Sequence, residues 1–221
     1  MTGAASIGEE RVRPRFRGVT HKYAFYASLI TGAVLLLVAP TRKAGAAAAI
    51  YAASVSALFG TSALYHRITW KPTARRWMRR LDHSMIFVLI AGTYTPFALL
   101  VLHGTLGEVV LAVVWGGALL GIVLKLVWID APKWLIATVY LALGWVGVVT
   151  IPQLASRAGA GAVSLLVAGG LLYTAGAVIY ALRRPDPSPK VFGYHEIFHL
   201  LVIAAAATHY AAVVAYALPA S

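Results

Sequence analysis

The sequence predicts an all-α, polytopic membrane protein, a bundle of seven transmembrane helices. Three observations lead there. Of the 221 residues, 60% are hydrophobic and only 12% charged, where a soluble domain carries roughly 25% charged residues. The apolar residues fall into runs of about 20, the length a helix needs to cross a hydrocarbon core of about 30 Å. The basic residues lie between those runs and favour one side of the membrane. Mean hydropathy is +0.78.

Seven runs qualify, in the order Tyr23–Ala39, Ala44–Tyr65, Leu81–Leu102, Leu106–Ile129, Pro132–Ile151, Gly161–Leu182 and Gly193–Leu218. The connections are short and hold charges, Pro or Gly, so the chain divides into a basic N-terminal segment, 1–22, and one transmembrane domain, 23–218. Gly117 and Gly121 stand in G-x-x-x-G spacing, and Gly169, Gly170, Ala175 and Gly176 form a second small-residue stripe. Both suit close helix–helix packing in any membrane bundle. Pro185, Pro187 and Pro189 stiffen the approach to the last run.

Charge sets the orientation. Arg11, Arg13, Arg15, Arg17 and Lys22 precede the first run, and Arg67, Lys71, Arg75, Arg76, Arg79 and Arg80 precede the third. Lys125 and Lys133 flank the next loop on that side, and Arg183, Arg184 and Lys190 the last. That side receives 16 of the 19 Lys and Arg; the other receives Arg42, Lys43 and Arg157. The positive-inside rule then places the amino terminus in the cytoplasm and the carboxyl terminus outside. The first run is expected to be retained, because Arg42 and Lys43 follow it and about 21 residues precede it, unlike a cleaved signal peptide. The net charge of +12 is topological and not a nucleic-acid footprint. Trp70 and Trp77 among the basic residues of the 67–80 loop suit anionic lipid head groups.

The polar residues inside the runs carry the chemistry. His195-Glu196-Ile197-Phe198-His199 opens the seventh run, and residues four apart share a helix face. Ser62 and His66 end the second run with the same spacing, and Asp82 opens the third. With the stated topology all three sets lie at similar depth in the cytoplasmic leaflet. His66, His195 and His199 offer three nitrogens, the usual donor number of a catalytic zinc site. No cysteine is present, so zinc would be held by His, Asp, Glu or water. Asp82 could accept a proton from a metal-activated water, and Ser62 could hydrogen-bond Asp82, the water or a substrate carbonyl. H-E-x-x-H also fits a metalloprotease, with Glu196 as base, and the spacing alone does not choose between Glu196 and Asp82. His83 is rotated by about 100° from Asp82. His21 is expected at the membrane edge, and His103 and His209 away from the site.

Taken together, Ser62-x-x-x-His66, the Leu81-Asp82-His83 helix start leading into Ala91-Gly92-Thr93-Tyr94-Thr95-Pro96-Phe97, and the late His195-Glu196-x-x-His199 resemble the hemolysin III family, over about Gly18 to Tyr216. That family is grouped with the progestin and adipoQ receptors and, more distantly, the alkaline ceramidases. The resemblance implies a seven-helix bundle with a cytoplasmic amino terminus, zinc on His66, His195 and His199, Asp82 on the zinc-bound water and Ser62 beside it. It implies a membrane zinc hydrolase of lipid amides or esters, ceramidase-like, in a bacterial inner or plasma membrane. The alternatives are a non-enzymatic, zinc-stabilised regulator of membrane lipid state or fluidity, and a pore-forming cytolysin.

Overall fold

The computed structural model describes residues 14–221; Arg11 and Arg13 lie outside them. Among the described residues the chain is helical, with no strand beyond one isolated antiparallel bridge, Ser188 to Phe192. The helices are α1 (Val19–Val38), α2 (Arg42–Arg67), α3 (Pro72–Leu100), α4 (Thr105–Val127), α5 (Lys133–Gly144), α6 (Ile151–Leu182) and α7 (Tyr194–Ala212). A 3₁₀ segment, Trp145–Thr150, joins α5 to α6. A π turn, Val213–Ala217, and a 3₁₀ turn, Leu218–Ala220, extend α7.

Local chemistry accounts for the helix ends. The Thr41 hydroxyl accepts from the Ala44 amide at 3.1 Å and caps α2. Pro72 opens α3, where its missing N–H costs nothing. The Glu196 carboxylate accepts from the Gly193 amide at 2.8 Å and closes the start of α7. Pro96 sits inside α3, and Thr95 immediately before it and Thr93 three residues before it donate to the Ala91 and Leu89 carbonyls at 2.9 and 2.8 Å.

Consecutive helices pack side by side, most extensively α2 on α3, α6 on α7, α1 on α2 and α3 on α4. The ring closes where α7 meets α1, and α3 also touches α5. Outward faces are apolar and bare: Leu37 on α1, Leu120 and Val127 on α4 and Leu182 on α6 are all exposed. Water would penalise such a surface and hydrocarbon would not. Six helical runs are long and apolar enough to cross a membrane, and the molecule is an integral membrane helix bundle.

Two boundaries differ from the sequence expectation. Positions 67–80 do not form a loop; α3 begins at Pro72, and most of the basic residues ride on its first turns. There Arg80 donates to the Leu126 carbonyl at 3.0 Å and covers the Trp77 ring. Hydropathy missed this extension because charged residues dilute it. The fifth and sixth runs are joined into one helical stretch of 50 residues, Lys133–Leu182. Its backbone leaves helical geometry at Gly159 (φ 81°, ψ 169°), a left-handed φ that glycine adopts without strain.

The G-x-x-x-G stripe serves packing within the bundle. A Cβ at Gly121 would intrude on the Phe87 ring of α3 and one at Gly117 on Leu143 of α5, whereas one at Gly116 would meet nothing. Gly121→Val is therefore expected to destabilise the detergent-solubilised protein by about 1–3 kcal/mol through overpacking. Gly116→Val should leave the thermal midpoint near that of the parent. Equal midpoints for the two variants would contradict this packing.

Candidate metal centre

His66 is the penultimate residue of α2, and His195 and His199 occupy the first two turns of α7. All three are buried, His199 at 2% exposure. One nitrogen from each converges so that the three lie within 4.8 Å of one another. Nε2 of His66 and Nε2 of His195 are 3.2 Å apart. Two nitrogens bound to one zinc at tetrahedral angles would stand about 3.3 Å apart, so the pair already has the spacing of ligands on a shared ion. Nδ1 of His199 is buried and has no hydrogen-bond partner among the described residues. The donor chemistry, three imidazoles and no thiolate, fits a divalent ion such as zinc. This cluster can hold a metal ion.

Asp82 comes from α3, and its Oδ2 lies 3.8 Å from Nε2 of His66. Ser62, one turn before His66 on α2, lines the same cavity as Asp82, and its Oγ is 2.8 Å from Nδ1 of His21. The sequence-derived set of Ser62, His66, Asp82, His195 and His199 is thus gathered in one place by α2, α3 and α7.

His21 belongs there too, against expectation. It is 3% exposed and stacks on His199, with ring centroids 3.7 Å apart and planes 7° from parallel. The cause is Gly18, which caps α1 with φ 75°. Any Cβ at this position would press on that of His66, so the backbone of α1 enters flush against α2 and carries His21 inward. A histidine one residue from Lys22 and four from Arg17 has no hydropathic signal of burial.

Glu196, the candidate protease base, is otherwise engaged. It is fully buried, pairs with the Arg17 guanidinium and caps Gly193. The segment that carries Arg17 is itself tied to the loop before α7, with the Arg15 amide donating to Lys190 at 3.0 Å and the Phe16 amide to Val191 at 3.2 Å. Among the described residues no other histidine joins the three-nitrogen group. The Tyr140 hydroxyl of α5 donates to the His83 carbonyl at 2.8 Å. The His103 amide bonds Gln153 at 3.0 Å, and Nε2 of His209 meets the Leu166 carbonyl at 3.1 Å.

A cavity of about 240 Å³ opens beside the cluster. Ser62, Asp82, His195 and His199 line its polar end, and the walls run between α3, α5, α6 and α7 through residues such as Ile86, Leu89, Val167 and Val202. Arg79, Lys125 and Lys133 also line it. Arg79 donates to the exposed Asp130 carboxylate at 2.7 Å, and that bond holds the carboxyl below its ordinary pKa.

Comparison with known proteins identifies the family of the chain. Residues 10–210 match the family described as haemolysin-III related. The chain is 40% identical over 168 residues to the hemolysin-3 homolog of Bacillus subtilis (strain 168), covering 76% of this chain and 75% of that protein. It is 35% identical over 198 residues to hemolysin-3 of Bacillus cereus, covering 87% of each. It is 34% identical over 152 residues to the adiponectin receptor protein of Drosophila melanogaster, covering 61% of this chain and 34% of that protein. Matches of this extent to the family and to two bacterial hemolysin-3 proteins, on a helical membrane bundle, make the chain a member of the haemolysin-III related family.

Proposed function

We propose that the protein is an integral membrane zinc hydrolase that cleaves an amide or ester bond of a lipid. The observation that carries this reading is the convergence of three buried imidazole nitrogens within 4.8 Å, with the Asp82 carboxylate 3.8 Å from one of them, at the polar end of an apolar cavity. A cavity between membrane helices admits a chain from the bilayer and holds its polar linkage at the histidines.

His66, His195 and His199 would hold the ion, which supplies a Lewis acid and lowers the pKa of water to about 7. Asp82 takes the proton of the attacking water and returns it to the leaving amine or alcohol as the carbonyl–heteroatom bond breaks. Ser62 orients that carboxylate, and His21 holds the serine through its own ring nitrogen, in the way outer hydrogen bonds fix a catalytic group. The products are a carboxylic acid and an amine or alcohol, which balances the addition of one water.

In the membrane the Lys133–Leu182 stretch makes two crossings. At 1.5 Å per residue its 50 residues would span about 75 Å if straight, and the chain turns at Gly159. That makes seven crossings, with the amino terminus and the metal centre on the cytoplasmic side of a bacterial plasma membrane.

A second reading is favoured by the same geometry. His66 lies on α2 and the other two ligands on α7, helices that pack chiefly against other neighbours. An ion joining them would stabilise the bundle without turnover, as a regulator of membrane lipid state.

The purified protein is expected to carry about one equivalent of zinc, and His195→Ala with His199→Ala should abolish it; metal-free wild type would contradict both readings. Asp82→Asn separates them. As a proton-transfer residue its loss should lower release of fatty acid from whichever short-chain N-acyl or O-acyl lipid the wild type cleaves by about 100-fold or more, with metal content and thermal midpoint preserved. Undiminished turnover by Asp82→Asn would remove the proposed mechanism. Stripping the metal with a chelator should lower the thermal midpoint by several degrees, and re-addition of zinc should restore it.

A further inference from the structure

Lys125 is the least expected charge in the bundle. It sits in the last turn of α4 and is 1% exposed, while Leu126, Val127 and Trp128 beside it are exposed. A lysine at a membrane helix end ordinarily snorkels, laying its stem on the apolar surface and its ammonium in water. This one turns inward. Its Nζ donates to the Ile129 carbonyl at 3.0 Å, which satisfies one of three N–H groups. Among the described residues no carboxylate lies within ion-pair distance of it. Capping its own helix does not account for the burial, since a surface lysine can reach a terminal carbonyl with its head still hydrated. A buried ammonium with no carboxylate in contact is costly even with Asp130 near enough to act on it, and such a residue within a membrane protein marks a ligand site.

The surroundings say which ligand. Lys125 lines the same cavity as the histidine cluster. So do Arg79 and Lys133, and all three cations lie within electrostatic reach of His83. That side chain also lines the cavity, and its buried Nδ1 has no hydrogen-bond partner among the described residues. Lys133 reaches across to α7, donating to the Tyr194 hydroxyl at 3.2 Å and covering the Tyr180 ring at 4.4 Å. Asp82, at the histidine end, is the carboxylate among the cavity's lining residues, set against three cations. Asp130 engages Arg79 from outside the cavity. The cavity wall that carries these cations therefore adjoins the candidate metal centre, with Arg79 one turn before Asp82 on α3 and Lys133 bonded to Tyr194 beside His195, and the rest of the cavity is largely apolar.

We infer that Lys125, with Lys133 and Arg79 beside it, binds an anionic lipid headgroup, so that the lipid attacked at the histidine cluster carries a phosphate or similar anion close to its scissile bond. The attack on that lipid rests on the hydrolase reading; the binding site does not. An anionic amphiphile meets both demands of the cavity. Its anion takes the ammonium's remaining N–H groups as charge-assisted hydrogen bonds, and its tail fills the apolar length. A free anion would satisfy only the first.

The test is calorimetric binding to the full-length protein in a nonionic maltoside, with dodecyl phosphate, dodecanol and inorganic phosphate as probes. Dodecyl phosphate is expected to bind about tenfold or more tightly than either of the others. Lys125→Met should weaken it by about tenfold or more, the loss of a charged hydrogen bond, while Lys125→Arg stays near wild type and dodecanol binding is unchanged. Lys133→Gln, at a half-exposed position, should weaken the same probe by about threefold or more, and it decides the matter if Lys125→Met does not fold. Wild-type affinity for dodecyl phosphate in a folded Lys125→Met protein, or in Lys133→Gln where that protein is lost, would overturn the inference. So would dodecanol binding as tightly, which would make the site neutral. Inorganic phosphate binding as tightly would assign it to a soluble anion instead. The His195→Ala, His199→Ala protein is the control. Retained lysine-dependent binding supports the cationic wall even where the hydrolase reading has failed for want of metal, whereas binding that disappears with the metal and ignores Lys125 overturns the inference alone.

Discussion

Imidazole nitrogens buried in an apolar bundle need partners, and that requirement organises the polar end of this molecule. Unpaired polar groups in such a setting cost more than the fold can spare. The fold answers by bringing His66 of α2 against His195 and His199 of α7 within 4.8 Å and by stacking His21 of α1 on His199. The first two helices and the last thereby share one polar focus. α3 adds the Asp82 carboxylate at 3.8 Å from His66. The cavity then places an apolar path beside that focus.

The surrounding contacts serve to keep α1 and α7 in register. Arg17 pairs with Glu196, Glu196 caps its own helix, and the segment before α1 hydrogen-bonds to the loop before α7. Gly18 permits the close entry that this requires. The glutamate of the H-E-x-x-H spacing thus fixes the start of the helix from which His195 and His199 project. The same pentapeptide that looks like a protease signature works here as a helix start with two inward-facing imidazoles, and the carboxylate beside them, Asp82, comes from another helix.

Much of this was legible in the residues. Hydropathy finds the apolar runs because a helix crossing hydrocarbon must be apolar over its length. The i, i+4 spacing of Ser62 with His66 and of His195 with His199 put each pair on one face, and the alternation of runs put the pairs at one depth. What escaped was set by tertiary contact. The start of α3 at Pro72 hid behind Arg75, Arg76, Arg79 and Arg80, because charge lowers hydropathy without stopping a helix. His21 and Arg17 looked like ordinary surface residues, and only the turn at Gly18 sends them inward. Lys125 read as a topology-setting charge, and its 1% exposure depends on the packing of α4 against its neighbours. The join between the fifth and sixth runs depends on residues 151–158 continuing as helix up to the break at Gly159, which weak local propensities do not dictate.

The central claim is that three imidazoles share one ion. X-ray absorption at the zinc edge of the purified, metal-loaded protein tests it most directly. The account predicts a shell of three histidine nitrogens at about 2.0–2.1 Å, with the outer scattering of imidazole rings. A metal surrounded by oxygen alone, or by fewer than two imidazoles, would contradict it.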